Sequence, residues 1–236
     1  MIEKSEVLER LYFEYTHLFL GGKAVRCPYW SNDKKNLIPG PFKGKGTPRQ
    51  IIEATIKRAL DLGLDLEKMS SAEIRSFMVR EKIGVDCSGF VYHLANGLDK
   101  EKGGSGILEK VAGINGNGPL RVNAFCLTND RNSLPVESVA EIRIGDFIRL
   151  NAGKHIAIVL RINKDRQKTI KEVIYAHSAF FTKTTGVHTA KFLVKEISAG
   201  LEKQLWFEKD RQGKDYFSAS FNKQTGDGIR RLKIWA

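Results

Sequence analysis

The chain has 236 residues, 42% of them hydrophobic, and a formal charge of +12 at pH 7. That length and composition suit a well-packed core in one large or two small domains, and exclude a disordered or fibrous chain. No apolar run reaches the roughly 20 residues that cross a bilayer; the longest, Ile156-Ala157-Ile158-Val159-Leu160, is strand-sized.

The N-terminal segment carries acids throughout and has no uninterrupted apolar stretch, so it does not read as a secretory signal. A signal already removed would place the protein at the cell envelope or outside the cell, and otherwise it is cytoplasmic. Residues 5–19 carry Val7, Leu8, Leu11, Tyr12 and Tyr15 at helical spacing. Residues 30–47, rich in Gly, Pro, Lys and Asn, read as a loop. Thr47-Pro48-Arg49-Gln50 is a capping box with proline at the first helical position, which predicts a helix to about Leu62. Ser70-Ser71-Ala72-Glu73 is a second capping box, for a helix to about Lys82. Asp86 as cap and Gly97 as stop predict a third helix over 87–97. Residues 100–119 are glycine-rich and read as a surface loop.

After residue 140 the pattern changes to strands, expected at 146–150, 155–162, 171–178, 191–197, 203–208, 214–221 and 228–235. Helices first and antiparallel strands second predict an α+β fold. No repeat, low-complexity tract or linker divides the chain, so one domain over 1–236 is expected.

Basic and acidic residues alternate along the chain, with no dense basic block and no nucleic-acid motif. The charge is therefore read either as attraction for an anionic substrate or as plain solubility. Cys27, Cys87 and Cys126 are far apart and odd in number, so neither a zinc ribbon nor a disulfide framework is expected.

Cys87 follows the capping Asp86 and shares a helical stripe with Phe90, Val91, Leu94 and Ala95. A thiol there meets the positive end of the helix and unpaired amides, which favour thiolate and can hold an oxyanion. By itself such a cysteine is more often a buried structural one. Two histidines add to it. If strands 155–162 and 170–177 close symmetrically about Arg166, His155 faces His177 on one side of the sheet. A register shift of two keeps them on that side, whereas a shift of one separates them. One imidazole then serves as base and the other as its orienter. His188 is the rival for the orienting place.

Asp86-Cys87-Ser88-Gly89-Phe90 resembles the signature of the NlpC family of papain-like cysteine peptidases. His155-Ile156-Ala157-Ile158-Val159 is similar to that family's histidine strand, and Tyr175-Ala176-His177-Ser178 to the strand after it. Ile144-Gly145-Asp146-Phe147 resembles its Pro-Gly-Asp turn with Ile for Pro, and Cys27-Pro28-Tyr29-Trp30 its upstream Pro-Tyr segment. The resemblance covers residues 25–180 discontinuously. It implies a papain-like domain with a helical insertion at about 31–83. Cys87 would be nucleophile, His155 base and His177 the third member. Tyr29 would lie near the oxyanion, and Asp86 and Ser88 on the substrate side. The implied reaction is amide hydrolysis in peptidoglycan stem peptides, at γ-D-glutamyl–diamino acid bonds. Acyl transfer or amidase chemistry, and a non-catalytic module that binds wall polymer, are the alternatives. The implied partner is a peptidoglycan peptide or another anionic wall polymer, with no specific nucleic acid.

Gly40 to Thr47 fails as a phosphate loop on spacing, and Gly113 to Gly118 fails as a dinucleotide fingerprint. His17, His93 and His188 form no ligand cluster by spacing, and neither a metal nor another cofactor is expected. Cys27 and Cys126 lack a helix start behind a capping Asp and read as structural. Trp206, Phe207, Tyr216 and Phe217 read as core strand residues.

Overall fold

The computed structural model describes residues 1–31, 40–114 and 118–236. The expected loops at 30–47 and 100–119 and the insertion at 31–83 therefore lie partly outside the described residues.

In chain order the elements are β1 (Ile2–Lys4), α1 (Glu6–Thr16), β2 (Leu18–Leu20), β3 (Lys23–Val25), α2 (Pro48–Asp61), α3 (Ser71–Arg80), α4 (Cys87–Glu101), α5 (Ala124–Thr128) and β4 (Ser133–Val136). There follow β5 (Phe147–Leu150), β6 (His155–Lys164), β7 (Ile170–Ala179), β8 (Gly186–Leu193), β9 (Leu205–Trp206), α6 (Tyr216–Ser220) and β10 (Gly228–Leu232). No described helix is long and apolar enough to cross a membrane.

Local chemistry sets the helix starts. Both capping boxes form, Thr47 with Gln50 and Ser70 with Glu73. Asp86 accepts the Gly89 N–H at 2.7 Å and opens α4. Gly97 does not stop that helix, which runs one turn further to Glu101. The glycine serves packing instead. A Cβ on it would lie 2.5 Å from Leu11 Cδ1, so its absence lets α1 lie close against α4.

The fold is α+β, with a fully antiparallel sheet in the order β4-β10-β5-β6-β7-β8-β9 and β1 added to the far end of β6. Alternation along the strands separates two apolar layers. Ile156, Ile158, Leu160 and Ala176 face the helices and pack with Phe90, Val91 and Leu94 of α4. Ala157, Val159, Val173 and Tyr175 face the other way, under Trp206, Tyr216 and Phe217.

The sheet departs from expectation in several places. The strand expected at 191–197 is β8, displaced to Gly186–Leu193, and that at 203–208 shrinks to two residues. Residues 214–221 hold a short helix, not a strand. Asp215 caps it by accepting the Phe217 N–H at 3.1 Å, and Phe217 stacks on Trp206 at 3.9 Å between ring centroids. The last strand ends at Leu232 in a 3₁₀ turn. The β6–β7 hairpin is not symmetric about Arg166. Its register shifts between Val159 and Arg161 and again near the turn, and Ile158 faces Ala176. An unpaired residue in a ladder does this. Carried to the strand ends, the offset from the symmetric closure is two residues, so His155 and His177 stay on one face, diagonal rather than opposite. His177 lies directly opposite His188 on β8.

Candidate active site

Three segments meet at the head of α4. Tyr29 bridges Val85, whose N–H donates to the Pro28 carbonyl at 3.1 Å and whose carbonyl accepts from Trp30 at 3.3 Å. Lys45 bridges Val85 from the other side, and the Asp86 N–H donates to Gly44 at 2.9 Å. Gly89 must be glycine for this crossing, because a Cβ there would sit 2.3 Å from the Gly44 carbonyl oxygen. That is a physical reason for the Asp-Cys-Ser-Gly run. The wide separation of Tyr29 from Cys87 in sequence does not keep them apart. Both line one cleft of about 330 Å³, with Asp86, Ser88, Lys154 and Arg121.

Cys87 lies against the strand that begins with His155. Its sulfur is 3.9 Å from the Lys154 carbonyl oxygen, and the Ile156 and Ser88 amides exert a small pull toward thiolate on it. Those Lys154 and Ile156 peptide groups flank His155. The β6–β7 ladder stops at Ile158↔Ala176, and Ser178 Oγ turns away to donate to the Val85 carbonyl at 2.7 Å.

On the far face the imidazoles form a chain. His155 Nε2 lies 2.9 Å from His177 Nδ1, and His177 Nε2 lies 2.8 Å from Glu208 Oε1. Tyr175 Oη donates to Glu208 Oε2 at 2.6 Å. His188, expected to stand outside any cluster, joins this one: its Nε2 is 2.9 Å from Glu208 Oε1, and its Nδ1 donates to the Gly186 carbonyl at 2.9 Å. Tyr216 of α6 covers His155 edge-on, ring centroids 6.1 Å apart.

The surroundings of Cys87 oppose the expected thiolate. Burial, then the neighbouring Asp86 carboxylate, push the Cys87 thiol up to about 12, against the smaller pull of Lys45 and the two amides. Burial, then His177, bring His155 down to about 3. Both shifts favour the uncharged form at neutral pH, thiol at Cys87 and imidazole at His155. Burial outweighs the helix end because desolvation acts on the whole charge, whereas the helix end supplies a partial one. Glu208 is held well below the usual carboxylate range; burial opposes this but is outweighed, His177 acting most strongly.

Burial also holds His93 and His188 below the ordinary histidine value. Above pH 6.5 neither the folded nor the unfolded chain protonates these groups. Below it the unfolded chain takes up protons that the folded chain refuses, so stability falls by about 1.4 kcal/mol per pH unit for each such proton. The Glu208 contribution is complete above pH 4.5 and lost below it. The urea midpoint at pH 5 should therefore lie clearly below that at pH 7.5, and equal midpoints would contradict these environments.

Asp86 and Ser88 are buried at the cleft wall, bound to one cation. Lys45 Nζ lies 2.6 and 2.5 Å from the Asp86 carboxylate oxygens and 2.6 Å from Ser88 Oγ. Cys27, Cys87 and Cys126 are all free. Cys126 does sit in a helix start, since Asn123 caps α5 by accepting its N–H at 2.7 Å, but its sulfur is turned to the Ala112 carbonyl. Of the aromatics read as core, Phe207 is exposed.

Sequence reading missed Lys45, Glu208 and Tyr216. Glu208 had one signal, its place directly after Trp206-Phe207 at the start of a charged run. Lys45 had only its place between two glycines. Comparison of the chain with family models, with curated proteins and with solved structures returned no match.

Proposed function

We propose that the protein is a papain-like cysteine peptidase that hydrolyses an amide bond in peptidoglycan stem peptides, of the γ-D-glutamyl–diamino acid type. Two observations carry this reading: Cys87 lies against the peptide that leads into His155, and His155 is bonded in series to His177 and Glu208. A carboxylate only accepts, so the His177 Nε2–H donates to Glu208. His177 Nδ1 is then a lone pair that accepts from the His155 Nε2–H. His155 Nδ1 is left unprotonated, as a base for the thiol requires.

Because thiol and imidazole rest uncharged, proton transfer accompanies attack. Cys87 adds to the scissile carbonyl as His155 takes its proton. The Gly89 and Phe90 amides are already bonded to Asp86, so the oxyanion falls to the Cys87 and Ser88 amides at the helix start. His155 then protonates the leaving amine, and the acyl-enzyme is hydrolysed by water that His155 activates. Lys43, Lys154 and Arg121 on the cleft wall favour a substrate with free carboxylates, which stem peptides carry.

The test is mass spectrometry of defined peptidoglycan fragments incubated with wild type and with Cys87→Ala. Products summing to substrate plus one water, from wild type alone, are expected. Cleavage by both proteins would remove the nucleophile, and cleavage by neither would remove the substrate.

Glu208 acts through the two histidines and is a positioning residue. Glu208→Gln should lower kcat/KM by about 10²-fold or more, within the range of acid–base assistance. The carboxylate also raises the His155 pKa by its charge. The acid limb of the pH–rate profile should therefore move to lower pH in Glu208→Gln, a shift that a merely structural lesion would not produce.

A further inference from the structure

We propose that His177, His188 and Glu208 also form a site for a divalent first-row transition-metal ion, and that its occupancy switches off the Cys87–His155 pair. The second half rests on the peptidase reading; the first does not.

Three atoms define the site. His177 Nε2, His188 Nε2 and Glu208 Oε1 lie 3.0, 2.8 and 2.9 Å from one another, a nearly equilateral triangle. Nitrogen and oxygen ligands at roughly 2.0–2.1 Å from an ion stand about 2.9 Å apart when they subtend right angles, and about 3.3 Å at tetrahedral angles. The spacing found is that of an octahedral face, the arrangement two histidines and one carboxylate adopt around a metal with open positions.

Protons alone leave this triangle frustrated. The Gly186 carbonyl only accepts, so His188 carries its proton on Nδ1. In a neutral ring Nε2 is then a lone pair, aimed at the Glu208 carboxylate. The His177 N–H can lie between only one pair of these atoms at a time. A cation at the centre satisfies all three together.

The outer atoms are already held as metal ligands require. His177 Nδ1 meets His155, His188 Nδ1 meets Gly186, and Glu208 Oε2 accepts from Tyr175. The two histidines are a directly opposed pair on β7 and β8, so the frame is rigid. A cavity of about 230 Å³ reaches His188 and Glu208 from the side away from Cys87 and gives an entry path. Lys183, Lys191 and Lys209 line it, which slows a cation and favours an anion in the open coordination positions.

Occupancy has a definite effect on the base. A metal on His177 Nε2 leaves that ring's proton on Nδ1, from which it donates to His155 Nε2. His155 then carries its own proton on Nδ1 and has no lone pair to offer the thiol. The same histidine supports either the metal or the base, not both.

The test uses zinc and the full chain after chelation. Equilibrium dialysis should find one tightly bound zinc per chain in wild type and in Cys87→Ala, with affinity at least 100-fold weaker in His188→Ala. Should His188→Ala fail to fold, the cobalt spectrum of wild type decides: ligand-field bands without a thiolate-to-cobalt charge-transfer band are expected. Absence of stoichiometric zinc, retention of full affinity in His188→Ala, or a thiolate band would overturn the site. Hydrolysis should fall in step with zinc occupancy and return with a chelator. Binding without inhibition would overturn the switch. A metal-free chain that cleaves nothing would count against the peptidase reading and leave the binding result standing.

Discussion

Cys87→Ala should lower the rate of stem-peptide cleavage by at least about 10⁴-fold, with thermal unfolding shifted by no more than a few degrees. The magnitude is that of removing a nucleophile, where what is left comes from binding and oxyanion stabilisation alone. The fold should survive because the change removes one small buried group. The helix start it occupies is held by Asp86 bonded to Gly89, and its stripe by Phe90, Val91 and Leu94, all fully buried. His155→Ala should cost nearly as much, and the double variant little more, because two groups that act as one unit are not additive. Initial rates on a purified fragment, measured beside thermal melts, decide this. A Cys87→Ala rate above one-hundredth of wild type, on protein with a normal melt, would mean that another group attacks.

Lys45→Met should destabilise the protein by about 3–5 kcal/mol, the cost of leaving a buried charge without its partner. Lys45 and Asp86 are 6% and 7% exposed, and the ammonium is the only cation bonded to that carboxylate among the described residues. Methionine nearly matches lysine in length, so the loss is mainly one of charge. For a chain of this size the melting temperature should fall by about 10 °C. The double variant Lys45→Met with Asp86→Asn should recover much of the loss, because asparagine still caps a helix and carries no charge. A fall of under two degrees in the single variant would mean that water already solvates the carboxylate. Activity should drop as well, since the bare Asp86 charge would raise the Cys87 thiol further.

The candidate site divides along the same line as the fold. Its helix head was legible because capping is local chemistry. Asp86, Cys87 and Gly89 stand within one turn, and their types state the cap, the exposed amides and the close crossing. The two capping boxes at Thr47 and Ser70 were legible for the same reason. The His155 and His177 strands showed as short apolar segments between turn-like or charged stretches. Their register did not, because an irregularity near Leu160 depends on which neighbours the strand packs against. The helix at Tyr216–Ser220 was hidden because aromatic residues suit a strand as well as a short helix that stacks on Trp206.

The sequence alone determined where a thiol and an imidazole begin their elements, since each start is written in residues within a few positions of it. The tertiary structure alone decided who supports them. Lys45 reaches Asp86 across 41 positions, and Glu208 reaches His177 across 31. Such partners are set by chain crossing and not by spacing. It also decided the charge state of the pair. Burial, which no local pattern records, raises the Cys87 thiol more than the helix end can offset, and lowers the His155 imidazole more than the Glu208 charge can.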